Sequence, residues 1–251
     1  MMHHYWMNPS VTLRACGLVV LGLLLSTAAR SEEPSDDDKR AKPTAHVERT
    51  IEGWTVKVDQ RLIEGDDAEL GERAMALLAR RLADIRLILP SDKVARLQEV
   101  TLWLDRSHGK LTAAQYHPSA GWLKQNGYSE QLAKCVHIPA AGEFSSKRHQ
   151  QVQPWSVLHE LAHAYHDQVL GFDHEELIAT WQRVKESGRL EKVLHIDGHE
   201  TRHYALTNQM EFFAEMSESY LGTNDFFPFN RAELKQSEPE VHTLLKSIWE
   251  Q

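Results

Sequence analysis

Cysteine is scarce in this sequence, with two in 251 residues. Cys16 lies in an N-terminal apolar run. Removal of that run leaves Cys135 alone, so no internal disulfide can form and the fold depends on its core and on what it binds. Cys135 sits in the apolar stretch Leu132 to Ile138, which reads as a strand, and a buried inert thiol is expected there rather than a nucleophile. Basic runs are missing too. The 28 Lys and Arg are outnumbered by 36 Asp and Glu for a net charge of −8. Without a basic patch interleaved with aromatics, nucleic acid is excluded as a partner. No apolar run reaches the roughly 20 residues of a membrane span, and no internal repeat is present.

The apolar run that does occur, Ala15 to Leu25, follows Arg14 and precedes the small residues Ser26-Thr27-Ala28-Ala29. This pattern is that of a secretory signal peptide over residues 1–29, cleaved after Ala28 or Ala29. An uncleaved anchor is the alternative. Cys16 begins the run instead of following it, which argues against a lipid anchor. Residues 30–46 are polar, carry Asp36-Asp37-Asp38-Lys39-Arg40 with Pro34 and Pro43, and read as a disordered linker. Residues 47–251 then form one domain, since 41% hydrophobic content supports one sizeable core. The expected product is a secreted or otherwise extracytoplasmic monomer, the periplasm included, with no stable membrane association once the signal is cleaved.

Alternation at period two predicts a strand over Trp54 to Asp59, and Val100 to Leu104 predicts a second. Helical spacing of Leu70, Ala74, Leu77, Leu78, Leu82, Ile85 and Leu89 predicts a helix from Asp66 to Leu89, ending at Pro90. After Pro154 the pattern turns helical: 155–169, 174–185 closed by Gly188, 206–221, and 238–249 entered through Pro239. The fold class is α+β, a small mixed sheet followed by a helical C-terminal half.

The chemistry concentrates in His159-Glu160-Leu161-Ala162-His163. Residues four apart share one helix face, so both imidazoles can reach one zinc ion. Glu160 points away from that pair yet stays close enough to act as general base toward a water activated by the metal. A second match, His199-Glu200-Thr201-Arg202-His203, competes with the first. Its flanks lack an apolar back face: Gly198 precedes it and Arg202 lies within it, so it is expected to be coincidental and on a loop or surface. A third His six residues after His163 is lacking, because Val169 stands there. The third ligand is then expected from a later helix. Glu211 in Asn208-Gln209-Met210-Glu211-Phe212-Phe213-Ala214-Glu215 supplies one, and Glu215, a turn later, would accept a hydrogen bond from the far nitrogen of a ligating His.

This pairing of the His159–His163 motif with Asn-x-x-Glu-Phe-Phe-Ala-Glu resembles the catalytic domain of anthrax lethal factor and smaller secreted metallopeptidases related to it. With the smaller proteins the likeness extends from about Ile51 to the C-terminus, through Tyr116-His117-Pro118, Gly121-Trp122-Leu123, Asn126-Gly127 and His203 to Asn208. The resemblance implies a zincin-like fold with zinc between sheet and helices, and a gluzincin-type endopeptidase acting on peptide or protein substrates. It also implies a role for Tyr204, seven residues before Glu211, in supporting the transition state, as a phenol donating to a developing oxyanion can. Nothing corresponds to the toxin's docking domains, so its substrate range is not implied. Two other readings stay open: a secreted binding or toxin-like module with a structural zinc, and a zinc amidase acting on a non-peptide amide.

Overall fold

The computed structural model describes residues 41–251. It opens on an antiparallel hairpin of β1 (His46–Ile51) and β2 (Trp54–Asp59). The two turn residues, Glu52 and Gly53, have φ of 51° and 92°. With both left-handed, the turn carries the twist that a two-residue hairpin requires. On β2, Trp54, Val56 and Val58 alternate into the core, and the Trp54 indole N–H donates to the carbonyl of Leu97 at 2.8 Å.

α1 (Ala68–Ile88) and α2 (Ser91–Gln98) carry the chain over to β3 (Leu102–Leu104), parallel to β2. α1 buries Ala74, Leu78, Leu82 and Ile85, the stripe its periodicity predicts. β4 (Gln115–Tyr116), α3 (Ala120–Gln125) and β5 (Val136–Ile138) follow. The sheet order is β1-β2-β3-β5-β4, with a parallel centre and antiparallel edges. β3 and β5 are buried throughout, as strands covered on both faces must be.

The rest is mostly helical: α4 (Ala141–Phe144), α5 (Lys147–Val152), α6 (Ser156–Tyr165) and α7 (Glu175–Ser187). A short hairpin, β6 (Val193–Leu194) and β7 (Glu200–Thr201), then leads to α8 (Gln209–Leu221), α9 (Arg231–Ser237) and α10 (Pro239–Glu250). α6 lies at the centre. All ten of its residues are buried, and it packs on α1, β4 and α8. Aromatic contacts close the far side: Trp249 of α10 stacks on Phe213 of α8 at 5.6 Å and lies 4.7 Å from Tyr165 of α6.

The α+β class and the expected order of sheet and helices are observed. Three details differ. The predicted linker over residues 30–46 ends early: the carbonyl of Ala41 already accepts from Arg61 and from the Ser107 hydroxyl, and Lys42 bonds to the carbonyl of Gly127. The helix expected to reach Val169 is α-helical only to Tyr165 and widens into a π-turn from His166 to Leu170. Cys135 is buried just before β5 rather than within it, and burial raises its thiol pKa. The signal-peptide segment and residues 30–40 of the linker lie outside the described residues. Among the described residues, no helix is long and apolar enough to cross a membrane.

Candidate metal centre

The seam between α6 and α8 brings the nominated residues together. His159 and His163 stand one turn apart on α6, their rings edge to face at 4.8 Å. Opposite them, Asn208 caps α8: its side chain accepts from the N–H groups of Met210 and Glu211, both at 2.9 Å. That cap starts the helix just before Glu211 and so fixes where its carboxylate projects. A carboxylate in the first turn also gains from the positive helix N-terminus.

Three donor atoms converge. His159 Nε2 and His163 Nε2 are 3.1 Å apart, and each is 3.3 Å from Glu211 Oε2. Atoms held about 2.1 Å from one tetrahedral cation are separated by about 3.4 Å, so the spacing is close to that of ligands around an ion. The chemistry agrees. His159 Nδ1 faces Glu218 Oε1 at 2.7 Å, which in the neutral ring leaves Nε2 as a lone pair aimed at the Glu211 carboxylate. Without a cation a second proton must stand in: burial opposes a charge on His159, but hydrogen bonds to Glu211 and Glu218 outweigh it and raise its pKa well above the ordinary range. Burial likewise works against an ionised Glu211, and the two histidines overcome it and hold its pKa well below the ordinary value.

A second buried cluster gives the contrast. Asp105 lies 2.6 Å from His108 Nδ1 and 2.8 Å from His137 Nε2. Those are direct hydrogen bonds, shorter than the spacing of ligands around an ion. Both groups have the composition of a metal site, but only the α6–α8 group has the spacing.

Glu160 is fully buried, and one carboxylate oxygen accepts from the backbone N–H of Tyr116 on the sheet edge at 2.7 Å. This bond ties β4 to α6. Glu160, His163 and Glu211 line one cleft together with Tyr116, His117 and Trp122. Tyr204 is half-buried on a 3-10 turn, Tyr204–Leu206, that packs against α8.

Glu215 takes a different place from the one expected. Its nearest approach to His159 Nδ1 is 3.8 Å, beyond hydrogen-bonding reach, whereas Glu218 makes that bond at 2.7 Å. Burial, then the charges of Asp225 and Glu218, raise the pKa of Glu215 well above the usual carboxylate range. Burial also brings Glu218 up to about 7 against the opposing pull of His159. The rival motif does not form a helix. Glu200 is on β7, exposed and paired with Lys192 at 2.7 Å, and His199 is half-exposed beside Asp197. His195, Asp197 and His199 do gather at the surface, with Asp197 and His199 exposed.

No family model matches the chain, and no curated protein or solved structure is significantly similar to it. The likeness to the lethal factor catalytic domain therefore rests on the motifs and their spacing alone.

Proposed function

We propose that this chain is a zinc-dependent endopeptidase of gluzincin type, related to the catalytic domain of anthrax lethal factor and exported from the cell that makes it. The observation that carries the reading is the 3.1–3.3 Å convergence of His159, His163 and Glu211 beside a cleft that holds a buried carboxylate, Glu160. Two imidazoles and one carboxylate form a donor set that suits zinc and leaves one position open. Zinc bound there supplies a Lewis acid that acidifies water and polarises a carbonyl.

The protein's own groups do the rest. Glu160, fixed through Tyr116 N–H, takes a proton from the attacking water and returns it to the leaving amine. Glu218 holds the His159 ring with Nε2 turned toward His163 and Glu211, the residues that would share the metal with it. Tyr204 donates to the developing oxyanion. A buried general base in an open cleft favours catalysis over a purely structural zinc.

The test uses purified protein, elemental analysis, and cleavage of a mixed peptide library against a peptidoglycan digest. One zinc per chain is expected, and chelation should abolish peptide cleavage. Glu160→Gln should keep zinc and lose hydrolysis, Glu200→Gln should change little, and Tyr204→Phe should keep zinc while turnover falls about 10²–10³-fold. His159→Ala and His163→Ala should strip the metal, whereas His199→Ala should not. Active protein without zinc, or cleavage abolished by Glu200→Gln but not Glu160→Gln, would overturn the reading.

A further inference from the structure

Five residues from four segments of the chain meet behind the cleft in a network that the proposed reaction does not use. Asp105, fully buried at the end of β3, accepts from three histidines: His46 at 2.7 Å, His108 at 2.6 Å and His137 at 2.8 Å. β3 and β5 put Asp105 and His137 side by side, because their parallel register sets Trp103 opposite His137 and bonds Asp105 N–H to the carbonyl of Ile138. The other nitrogen of His137, Nδ1, lies 3.3 Å from His117 Nε2. His117 follows β4, lines the cleft with Glu160 and His163, and stacks on Trp122 at 6.4 Å.

The chain of bonds dictates where each proton sits. An ionised Asp105 can only accept, so His137 donates from Nε2. Burial lowers the pKa of His137 and keeps that ring neutral, which leaves Nδ1 as a lone pair. His117 must then donate from Nε2. Burial, helped by the neighbouring His137 and His108, brings the pKa of His117 down to about 3, so near neutral pH it carries no second proton. Its remaining nitrogen, Nδ1, is a bare acceptor. Among the described residues no protein group bonds to it, and it is not among the fully buried atoms left without a partner.

We infer that His117 Nδ1 is a fixed hydrogen-bond acceptor that takes a backbone N–H of the chain bound in the cleft, with His137 and Asp105 as positioning residues that set its tautomer. The inference rests on the peptidase reading for the nature of the ligand, but not for the tautomer. An acceptor that cannot protonate binds an amide N–H as well in mildly acidic medium as at neutral pH. It adds nothing for an ester at that position, which lacks the proton to give.

Two measurements test this. Two-bond nitrogen–proton NMR spectra of the metal-free protein should show both His117 and His137 as the Nε2–H tautomer near neutral pH. A proton on His117 Nδ1 would overturn the inference whether or not any peptide is cleaved. In the zinc-loaded protein, His117→Asn puts a carbonyl oxygen where Nδ1 was, whereas His117→Gln keeps a donor toward His137 and loses the acceptor. His117→Gln should raise KM about 10-fold, the worth of one hydrogen bond, with kcat little changed, and His117→Asn should restore most of it. N-methylation of one amide in the substrate should cost the wild type about as much and cost His117→Gln nothing further. Restoration by Gln instead of Asn would make His117 merely a support for the sheet edge. If the wild type cleaves no peptide at all, the peptidase reading fails, and the spectra still decide the tautomer.

Discussion

At the level of single residues, the centre shows how one helix turn separates a support from a bystander. Glu215 lies about 40° round the helix from Glu211, and Glu218 only about 20° the other way, at 100° per residue. Glu218 is the better placed to follow the His159 ring to its far side, and it makes the 2.7 Å bond. Glu218→Ala should weaken zinc binding about 10–100-fold, the usual cost of losing such a partner. Glu215→Gln keeps the shape of a side chain whose ionised form burial disfavours and which stays 3.8 Å from His159 Nδ1, and should change affinity little. Competition against a zinc-binding dye measures both. Equal losses would mean that Glu215 shares the orienting role.

Among elements, α6 and α8 work as a pair pinned at their ends. Gly222 ends α8 so close to Trp155, at the start of α6, that a Cβ there would sit 2.3 Å from the indole ring. Gly222→Ala must push the two helices apart. Asn208→Ala removes the cap at the other end of α8, worth about 1 kcal/mol. Both variants should lose zinc affinity along with thermal stability, because the ligands are divided between the two helices. Lower melting temperature with unchanged zinc affinity would show that the seam is not what sets the ligand spacing.

The same pair shows what was legible beforehand. The α1 stripe and the His159–His163 spacing could be read because helical periodicity is local, and β2 was readable through its strict alternation. β1 was not, since Glu48, Arg49 and Thr50 on it are all exposed and it exists by pairing with β2. The choice of Glu218 over Glu215 was available from helical phase alone. The network around Asp105 was not, because only the sheet order brings residues 46, 105, 108, 117 and 137 together.

For the molecule as a whole, buried histidine sets the response to acid. His117, His166 and His203 are each brought down to about 3, with burial the leading cause in every case. Their folded-state pKa lies below the unfolded value, so their contribution to stability is complete above about pH 6.5 and is lost as pH falls toward 3. Between about pH 6.5 and 4.5 these rings give the unfolded chain up to three extra protons. Glu218, raised to about 7, and Glu215, raised well above the ordinary range, hold protons on the folded chain there and take back up to two. Only below about pH 4.5, where unfolded carboxylates are protonated as well, does the slope from the three rings approach about 4 kcal/mol per pH unit. Asp105 adds to the loss lower down: burial works against its charge, but its three histidine partners outweigh that and hold its pKa far below the usual range. Urea midpoints for the metal-free protein should therefore fall only gently between about pH 6 and pH 5 and steeply below about pH 4.5. A profile that stays flat below about pH 4.5 would mean that these rings have access to water.

The contact between Gly222 and Trp155 also turns the seam into something that can be read in other sequences. Trp-x3-His-Glu-x2-His describes 155–163, and Asn-x2-Glu-x6-Glu-x3-Gly describes 208–222. The first string names the pin, both histidines and the base, and the second names the cap, the carboxylate ligand, its supporting partner and the gap that admits the indole. A chain with both strings carries the parts of this centre however far the rest of it has diverged. One that keeps only the five-residue motif lacks the second helix's half.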